Sequence, residues 1–390
     1  MMLVRNRLNV VVLSVLALSA CGKNEAPAAP EQKTEQAAIA AVPAQERQLN
    51  VYNWTDYVDP ETVAAFEKER NVKVTQDFYD SNEMLEAKLM TGKSGYDLVF
   101  PSLSNLGRQI KAGTYQKIDT SKIANYQNID PMLLRLLTQV DPNNEYVVPY
   151  FWGFYSVGIN PEKVKQALGT DQLPENNWDL VFNPEYTAKL KSCGISFLDS
   201  PTSVFPIALN YMGKDPNSNN PEDLKAAAQM MQKVVGDVVR FSSSGYINDF
   251  AQGNLCVGIG YNGDFNIANV RAQEAKNGVT VKALIPKQGV GVWIDAVALT
   301  KDAKNVDAAL EYINWTLDPQ VAAKNANLVN YAPGTQLAKA YMSADIVSND
   351  SIFPSEASMT NSFVNTEKEP ATVKLGVKLW QQLKSNRASD

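Results

Sequence analysis

The sequence predicts an α/β protein that folds as two lobes, and two observations lead to this expectation. Short apolar strands alternate with helices twice, first over residues 49–110 and again over residues 195–299. Such alternation is typical of a mostly parallel sheet that is covered by helices. The roughly 340 residues after position 48 exceed what a single hydrophobic core usually organises, so two lobes are expected.

The helix starts are marked by an N-cap residue followed by proline, which fits the first helical position because it lacks a backbone N–H. This pattern occurs at Asp59-Pro60, Asp130-Pro131 and Asn220-Pro221. Apolar runs predict the strands. One strand starts at Leu49, and the others are residues 72–74, 96–100, 195–199, 238–241, 255–261, 279–281 and 290–299. Residues 146–159 are rich in aromatic side chains and are interpreted as strands broken by Pro149 and Gly153.

The N-terminus has the pattern of an export signal. Arg5 and Arg7 precede an apolar run, residues 8–18, which is short for a membrane span. The run ends in small residues followed by Cys21, an arrangement that resembles a bacterial lipobox. We therefore expect a signal peptide at residues 1–20 and a lipidated cysteine at position 21. An ordinary signal peptide with an incidental cysteine is the alternative.

Residues 21–48 are expected to be a flexible tether. After the cysteine they are rich in Ala, Gln and Glu, contain three prolines and lack aromatic residues. Such a segment buries too little apolar surface to offset the entropy lost on ordering. A long alanine-rich helix is the alternative, and the prolines argue against it.

The charge balance favours a cationic ligand. The chain has 36 Lys and Arg against 42 Asp and Glu, a net charge of −6, and removal of a signal peptide with Arg5 and Arg7 makes it more negative. An acidic protein is a poor binder of nucleic acid and of anionic lipid. We therefore expect no nucleic-acid partner and no membrane contact other than the lipid anchor.

The sequence contains no histidine, which removes the Ser-His-Asp and Cys-His mechanisms and most zinc and iron sites. We expect no catalytic residues, no metal and no cofactor. Apart from Cys21, the cysteines are Cys193 and Cys256, an even pair in an exported protein, which predicts a disulfide. Two buried free thiols are the alternative.

Three predicted strand ends carry an aromatic residue close to an aspartate. The pairs are Trp54 with Asp56, Tyr261 with Asp264, and Trp293 with Asp295. Aromatic faces attract ammonium groups and carboxylates accept their charge-assisted hydrogen bonds, so the three pairs together predict a site for a diamine. A helix cap is the alternative for Asp264, and a place in the core is the alternative for the tryptophans.

The segment Gly258–Gly263 also fits the G-x-G-x-x-G pattern of dinucleotide sites. Such a site needs an acidic residue at the end of the next strand, and residues 279–286 contain none. We therefore interpret these glycines as room for the backbone and a ligand. A glycosidase would need two carboxylates at a fixed separation, and no motif in the sequence sets such a separation.

Several longer motifs resemble the periplasmic spermidine/putrescine-binding proteins of bacterial ABC importers, the putrescine-binding type in particular. The resemblance covers residues 49–390 and is carried by Tyr52-Asn53-Trp54-Thr55-Asp56-Tyr57, Asp80-Ser81-Asn82-Glu83, Lys191-Ser192-Cys193-Gly194, Gly213-Lys214-Asp215-Pro216-Asn217-Ser218 and Tyr246-Ile247-Asn248-Asp249. It implies a type II periplasmic-binding-protein clamshell with a hinge. It also implies a first lobe of residues 49–150 plus 277–327, a second lobe of residues 151–276 plus 328–390, and a disulfide between Cys193 and Cys256.

The resemblance also implies a set of ligand-binding residues in the cleft between the lobes. They are Trp54, Thr55, Asp56, Ser102, Ser203, Ser243, Tyr261, Asp264, Trp293, Asp295 and Tyr331. Four aromatic rings among them would hold a methylene chain, and Asp264 and Asp295 would hold the amines. The chain departs from the family pattern at Thr202-Ser203, where an acid is usual, and at Tyr261, where tryptophan is usual.

The function implied by the resemblance is capture of a polyamine of the putrescine/spermidine class and its delivery to an ABC permease. The implied setting is the periplasm, where a monomer would be anchored to a membrane through its lipid. One alternative is a binding protein for another organic cation, such as agmatine, cadaverine or a basic amino acid. The other alternative is a sensor or surface protein that keeps the fold but not transport.

Overall fold

The structure is a computed structural model, and it describes residues 47–355 and 357–387. The expected signal peptide, Cys21 and nearly all of the expected tether lie outside these residues. Residues 47 and 48, which were assigned to the tether, already belong to the first strand. Within the described ranges, no helix is both long enough and apolar enough to cross a bilayer.

The described residues form one mixed sheet of eleven strands. The strands are β1 (Arg47–Trp54), β2 (Val72–Tyr79), β3 (Leu98–Val99), β4 (Val147–Ile159), β5 (Ile195–Phe197), β6 (Val238–Phe241), β7 (Val257–Tyr261), β8 (Lys282–Leu284), β9 (Gly291–Leu299), β10 (Ala332–Pro333) and β11 (Phe363–Val364). Their main order is β2-β1-β3-β9-β4-β7-β5-β6. The outer pairs, such as β1 with β2 and β5 with β6, are parallel as expected. The central pairs of β4 with β9 and β7 are antiparallel.

Strand β4 joins the two halves of this sheet. Its residues 147–154 pair with β9, and its residues 155–159 pair with β7. The short strand β8 pairs with residues 157–159 of β4 and so belongs to the second half of the sheet. The exact lobe limits stay a prediction.

The helices cover the sheet and begin where the sequence signals them. They are α1 (Pro60–Arg70), α2 (Asn82–Leu89), α3 (Leu103–Lys111), α4 (Pro131–Leu137), α5 (Pro161–Leu168), α6 (Asp179–Phe182), α7 (Pro184–Leu190), α8 (Pro201–Tyr211), α9 (Pro221–Gln232), α10 (Tyr246–Ala251), α11 (Asn262–Glu274), α12 (Val306–Thr316), α13 (Pro319–Val329), α14 (Ala344–Val347) and α15 (Pro370–Arg387). The side chains of Asp59, Asp130 and Asn220 each accept a hydrogen bond from a backbone N–H in the first turn. The three predicted N-caps are therefore confirmed.

The expectation that Pro149 and Gly153 would break residues 146–159 into separate strands is wrong. These residues form the single strand β4, and only a register shift between Pro149 and Phe151 marks the proline. Gly153 is needed because a Cβ at this position would lie 2.5 Å from the Trp293 ring and 2.4 Å from Asn262 Oδ1. The glycine therefore lets the tryptophan pack directly on the strand.

The predicted disulfide between Cys193 and Cys256 is confirmed, with the two Cα atoms 5.5 Å apart. It ties the turn after α7 to the residue before β7. The 63-residue separation of the cysteines includes α8, α9 and α10. The bond therefore links segments of the second half of the sheet that are distant in sequence.

Candidate functional site

Asp295 is a buried carboxylate on β9, with 7% of its surface exposed. Its Oδ2 accepts a hydrogen bond of 2.9 Å from the hydroxyl of Tyr57, and its Oδ1 accepts one from Ser102. Burial raises the pKa of Asp295 to about 6, although both hydrogen bonds favour the charged form. The carboxylate is therefore held in place but remains poorly solvated.

Asp264 is a second carboxylate in a similar environment, at the start of α11. Its Oδ2 accepts a 2.6 Å hydrogen bond from Tyr246, and its Oδ1 accepts a 2.5 Å bond from Tyr331. Burial again raises the pKa of the acid to about 6, against the effect of the two hydroxyls. Gly263 permits this contact because a Cβ there would lie 2.4 Å from the Tyr331 ring.

Asp264 and Asp295, which we call the carboxylate pair, border the same cluster of rings. Tyr57 donates to one acid and Tyr331 to the other, and the centroids of these two rings are 6.0 Å apart. Within the described residues, neither acid has a lysine or arginine nitrogen within 4.0 Å. Arg271 attracts Asp264 only from a longer distance and donates its hydrogen bond to Asn248 instead. Two negative charges without a directly paired protein cation favour binding of a cation.

A row of aromatic rings adjoins the carboxylate pair. The ring of Trp293 packs edge-on to Tyr331 with centroids 4.9 Å apart, and to Tyr261 at 6.0 Å. Tyr261 then packs against Tyr155 at 5.4 Å. Such a row offers apolar contact to a methylene chain and π faces to a cation.

Trp54 ends β1, and Thr55 and Asp56 follow it. Among the described contacts, no hydrogen bond or ring packing joins these three residues directly to the carboxylate pair. The half-buried ring of Trp54 packs on Tyr79 with centroids 4.6 Å apart, and its Nε1 donates to the Phe100 carbonyl at 2.8 Å. Thr55 is exposed and donates to Asp80 at 2.8 Å. Asp56 is also exposed, in the left-handed region with φ 55°. The contact of these three residues with a ligand stays a prediction.

The two predicted serines of the second half of the sheet differ in their surroundings. Ser203 is buried in the first turn of α8 and donates a 3.1 Å hydrogen bond to the Tyr155 hydroxyl. Ser243 is half-buried in the loop between β6 and α10. Among the described contacts, no hydrogen bond joins Ser243 to the other predicted residues. The structure therefore connects Ser203 to the row of rings and leaves Ser243 apart.

Sequence reasoning did not assign four residues that contribute to this site. Tyr57 and Tyr246 orient the carboxylate pair, and Tyr155 continues the row of rings. Asn365 is 4% exposed, and neither its Oδ1 nor its Nδ2 has a hydrogen-bond partner. Tyr57 and Tyr246 lie inside motifs that carry the family resemblance, so those motifs could have pointed to them. No local signal singles out Asn365.

Comparison with known sequences shows similarity to one class of protein along most of the chain. A sequence profile described as bacterial extracellular solute-binding protein matches residues 61–355. The putrescine-binding periplasmic protein SpuD of Pseudomonas aeruginosa is 47% identical over 344 residues, which cover 88% of this chain and 94% of the relative. The putrescine-binding periplasmic protein PotF of Escherichia coli is 43% identical over 350 residues, which cover 90% and 94%. These relatives are binding proteins of the periplasm rather than enzymes.

Solved structures show the same fold. The spermidine/putrescine ABC transporter substrate-binding protein PotD of Streptococcus pneumoniae superposes with a TM-score of 0.73 at 26% identity, covering 87% of this chain and 99% of that one. The Tp0655 lipoprotein of Treponema pallidum superposes with a TM-score of 0.71 at 28% identity, with the same coverage. The expected two-lobed clamshell fold class is therefore confirmed.

Proposed function

Because this chain belongs to the bacterial extracellular solute-binding protein family, we propose that it captures a polyamine of the putrescine/spermidine class between its lobes. The single observation that supports this best is the carboxylate pair: Asp295 is buried, Asp264 is partly buried, and both accept hydrogen bonds from hydroxyls. In the described part of the chain, neither acid is directly paired with a lysine or arginine. The named functions of the relatives SpuD and PotF point to the same ligand class.

The ammonium groups of a polyamine match the carboxylate pair, and its methylene chain matches the row of rings. An ammonium group has three N–H donors. Each of the four oxygens of the carboxylate pair accepts one hydrogen bond from a protein hydroxyl, so each can still accept another from the ligand. Charge-assisted hydrogen bonds of this kind contribute about 1.5–3 kcal/mol. The methylene chain would then lie along Trp293 and Tyr261, whose faces add a cation–π attraction of about 0.5–2 kcal/mol.

The bound polyamine would be delivered to the membrane subunits of an ABC importer. The relatives are periplasmic, and we place this chain in the same compartment as a monomer. Lipid attachment at Cys21 would hold it at a membrane and keep it close to the permease. Labelling with a radioactive fatty acid, lost in a Cys21→Ala variant, would test the anchor.

Calorimetric titration at pH 7.5 tests the ligand class. We expect at least one of putrescine, cadaverine, spermidine and their singly acylated forms to bind with a Kd below about 100 µM, a free energy near −5.5 kcal/mol. Butane-1,4-diol is the control, because it has the length of putrescine without its charge and should not bind. Failure of every amine to reach this affinity would contradict the proposal.

A further inference from the structure

The row of rings ends at a group of neutral hydroxyls, which we call the hydroxyl end. Ser200 precedes α8, and its Oγ lies 2.9 Å from the Oγ of Ser203 and 3.1 Å from the Oγ1 of Thr202. Ser203 in turn donates to the Tyr155 hydroxyl at 3.1 Å. Ser203 and Tyr155 are buried, with 4% and 6% of their surfaces exposed. The hydroxyl end therefore offers hydrogen bonds but carries no charge.

Asn365 supplies a buried amide beside this end. Burial raises the pKa of the Tyr155 hydroxyl to about 12, and hydrogen bonding from Ser203 and, more weakly, from the Asn365 amide opposes this rise. The amide therefore lies near Tyr155 but makes no hydrogen bond of normal geometry with it. The backbone on both sides of Asn365 is fixed, because the Asn217 side chain donates to the Val364 carbonyl at 2.8 Å and accepts from the Thr366 N–H at 3.0 Å. The backbone that carries the amide is thus held in place, yet among the described residues neither of its polar atoms makes a hydrogen bond of normal geometry.

Leaving a buried donor and a buried acceptor unpaired destabilises a protein. A ligand that offers one acceptor and one donor would remove this cost. An amide group meets the requirement, because its C=O accepts and its N–H donates. The hydroxyls of Ser203 and Tyr155 can act as either partner, so they suit an amide equally well.

An ammonium group would be poorly matched to the hydroxyl end. The nearest acid in sequence is Asp199, which accepts hydrogen bonds from Trp380 Nε1 at 2.8 Å and Lys384 Nζ at 2.8 Å. Its charge is therefore directed toward α15 and compensated there. Glu83 raises the pKa of Tyr155 after larger effects of burial and Asp295, but Glu83 is exposed and screened by water. Burial of a charge without a close partner is costly.

We infer that this site selects a singly acylated diamine, whose free ammonium binds the carboxylate pair and whose amide binds Asn365 and the hydroxyl end. This inference rests on the proposed function and narrows its ligand class. The acyl group removes the second charge of the diamine and introduces the donor and the acceptor that Asn365 lacks. A free diamine would instead place its second ammonium beside hydroxyls and an amide, where Asp295 attracts it only from a longer distance.

Titrations of the full chain with putrescine and N-acetylputrescine test this inference. In the wild type, we expect N-acetylputrescine to bind at least ten times more tightly than putrescine. Asn365→Leu should weaken N-acetylputrescine at least fivefold and change putrescine less than twofold, because leucine has a similar volume without polar atoms. Asn143→Leu is the matched control, since Asn143 is exposed in the turn before β4, and it should leave both affinities unchanged.

A charge introduced at the hydroxyl end should reverse the preference. Ser203→Asp supplies the missing carboxylate, so putrescine should gain at least fivefold and N-acetylputrescine should lose affinity. Thermal unfolding shows whether the protein tolerates Ser203→Asp. If it does not, the two affinities of Asn365→Leu test the inference instead. Equal or tighter binding of putrescine by the wild type would overturn the inference while leaving the proposed function intact. Binding of no amine at all would overturn both.

Discussion

Asp295→Asn and Asp264→Asn each weaken amine binding by about 1–3 kcal/mol, which corresponds to a loss of roughly 5- to 150-fold in affinity. Each substitution keeps the size of the side chain and removes one of the two charges that face the ammonium. Asparagine also replaces an oxygen by an NH₂ group, which repels ammonium hydrogens. Calorimetric titration with the tightest-binding amine of the panel at pH 7.5 measures the loss.

The double variant should lose more than either single variant, because both acids border the same ring cluster. Asp171→Asn is the control, since it makes the same change in net charge at a side chain that is 81% exposed and pairs with Lys165 at 3.6 Å. It should bind as the wild type does. Unchanged affinity in both single variants would refute the role of the carboxylate pair.

Asp295→Asn also stabilises the protein in the absence of ligand at neutral pH. The pKa of Asp295 is about 6 in the folded state against 3.8 for the ordinary group, because burial disfavours its charge. This difference of about two pH units makes ionisation cost the folded state roughly 3 kcal/mol. The asparagine variant avoids this cost. Of the Tyr57 and Ser102 hydroxyls, the one that faces the new NH₂ can rotate to accept from it, while the other still donates to the amide oxygen.

The sign of this effect determines its pH dependence. A folded-state pKa above the unfolded value means that the folded protein binds more protons between pH 4 and 6, so stability falls as pH rises through this window. The penalty is fully present above pH 6 and absent below pH 4. The gain from Asp295→Asn should therefore be largest at pH 7.5 and nearly vanish at pH 4.

Urea unfolding of the ligand-free wild type and variant at pH 4, 6 and 7.5 measures this gain. Asp171→Asn again serves as the control and should leave the unfolding free energy unchanged at every pH. A variant that is less stable than the wild type at pH 7.5 would show that Asp295 is not strained by burial. Improved stability together with weaker binding would be a trade-off of the kind expected at binding sites.

Local features of the fold were predictable because their signals lie within a few residues of one another. The Asp59-Pro60 and Asn220-Pro221 pairs begin helices because capping and the proline ring act on adjacent backbone groups. The central pairing of β4 with β9 was not predictable in this way. It joins residues about 145 positions apart, such as Trp152 with Ile294, and antiparallel partners at such distance leave no local pattern.

The candidate site was predictable in its charges and rings but not in its contacts. Asp264 and Asp295 stood out because aromatic residues lie two or three positions away. Their hydrogen-bond donors come from distant segments, and Tyr57 is 238 residues from Asp295. Asn365 lies in a polar stretch without periodicity, and only its burial without a partner distinguishes it. Such information exists only after the chain has folded.

Proton release on binding tests the central claim most directly, because it reports on the carboxylate pair in the unaltered protein. At pH 6 each acid of the pair is about half protonated, since the pKa of each is about 6. A bound ammonium lowers both pKa values, so binding should release roughly one proton in total at pH 6 and almost none at pH 8. Titrations with the tightest-binding amine in two buffers of different ionisation enthalpy count the protons. Release of about one proton at pH 6 that disappears at pH 8 is the predicted result, and binding without proton release at pH 6 would contradict the account.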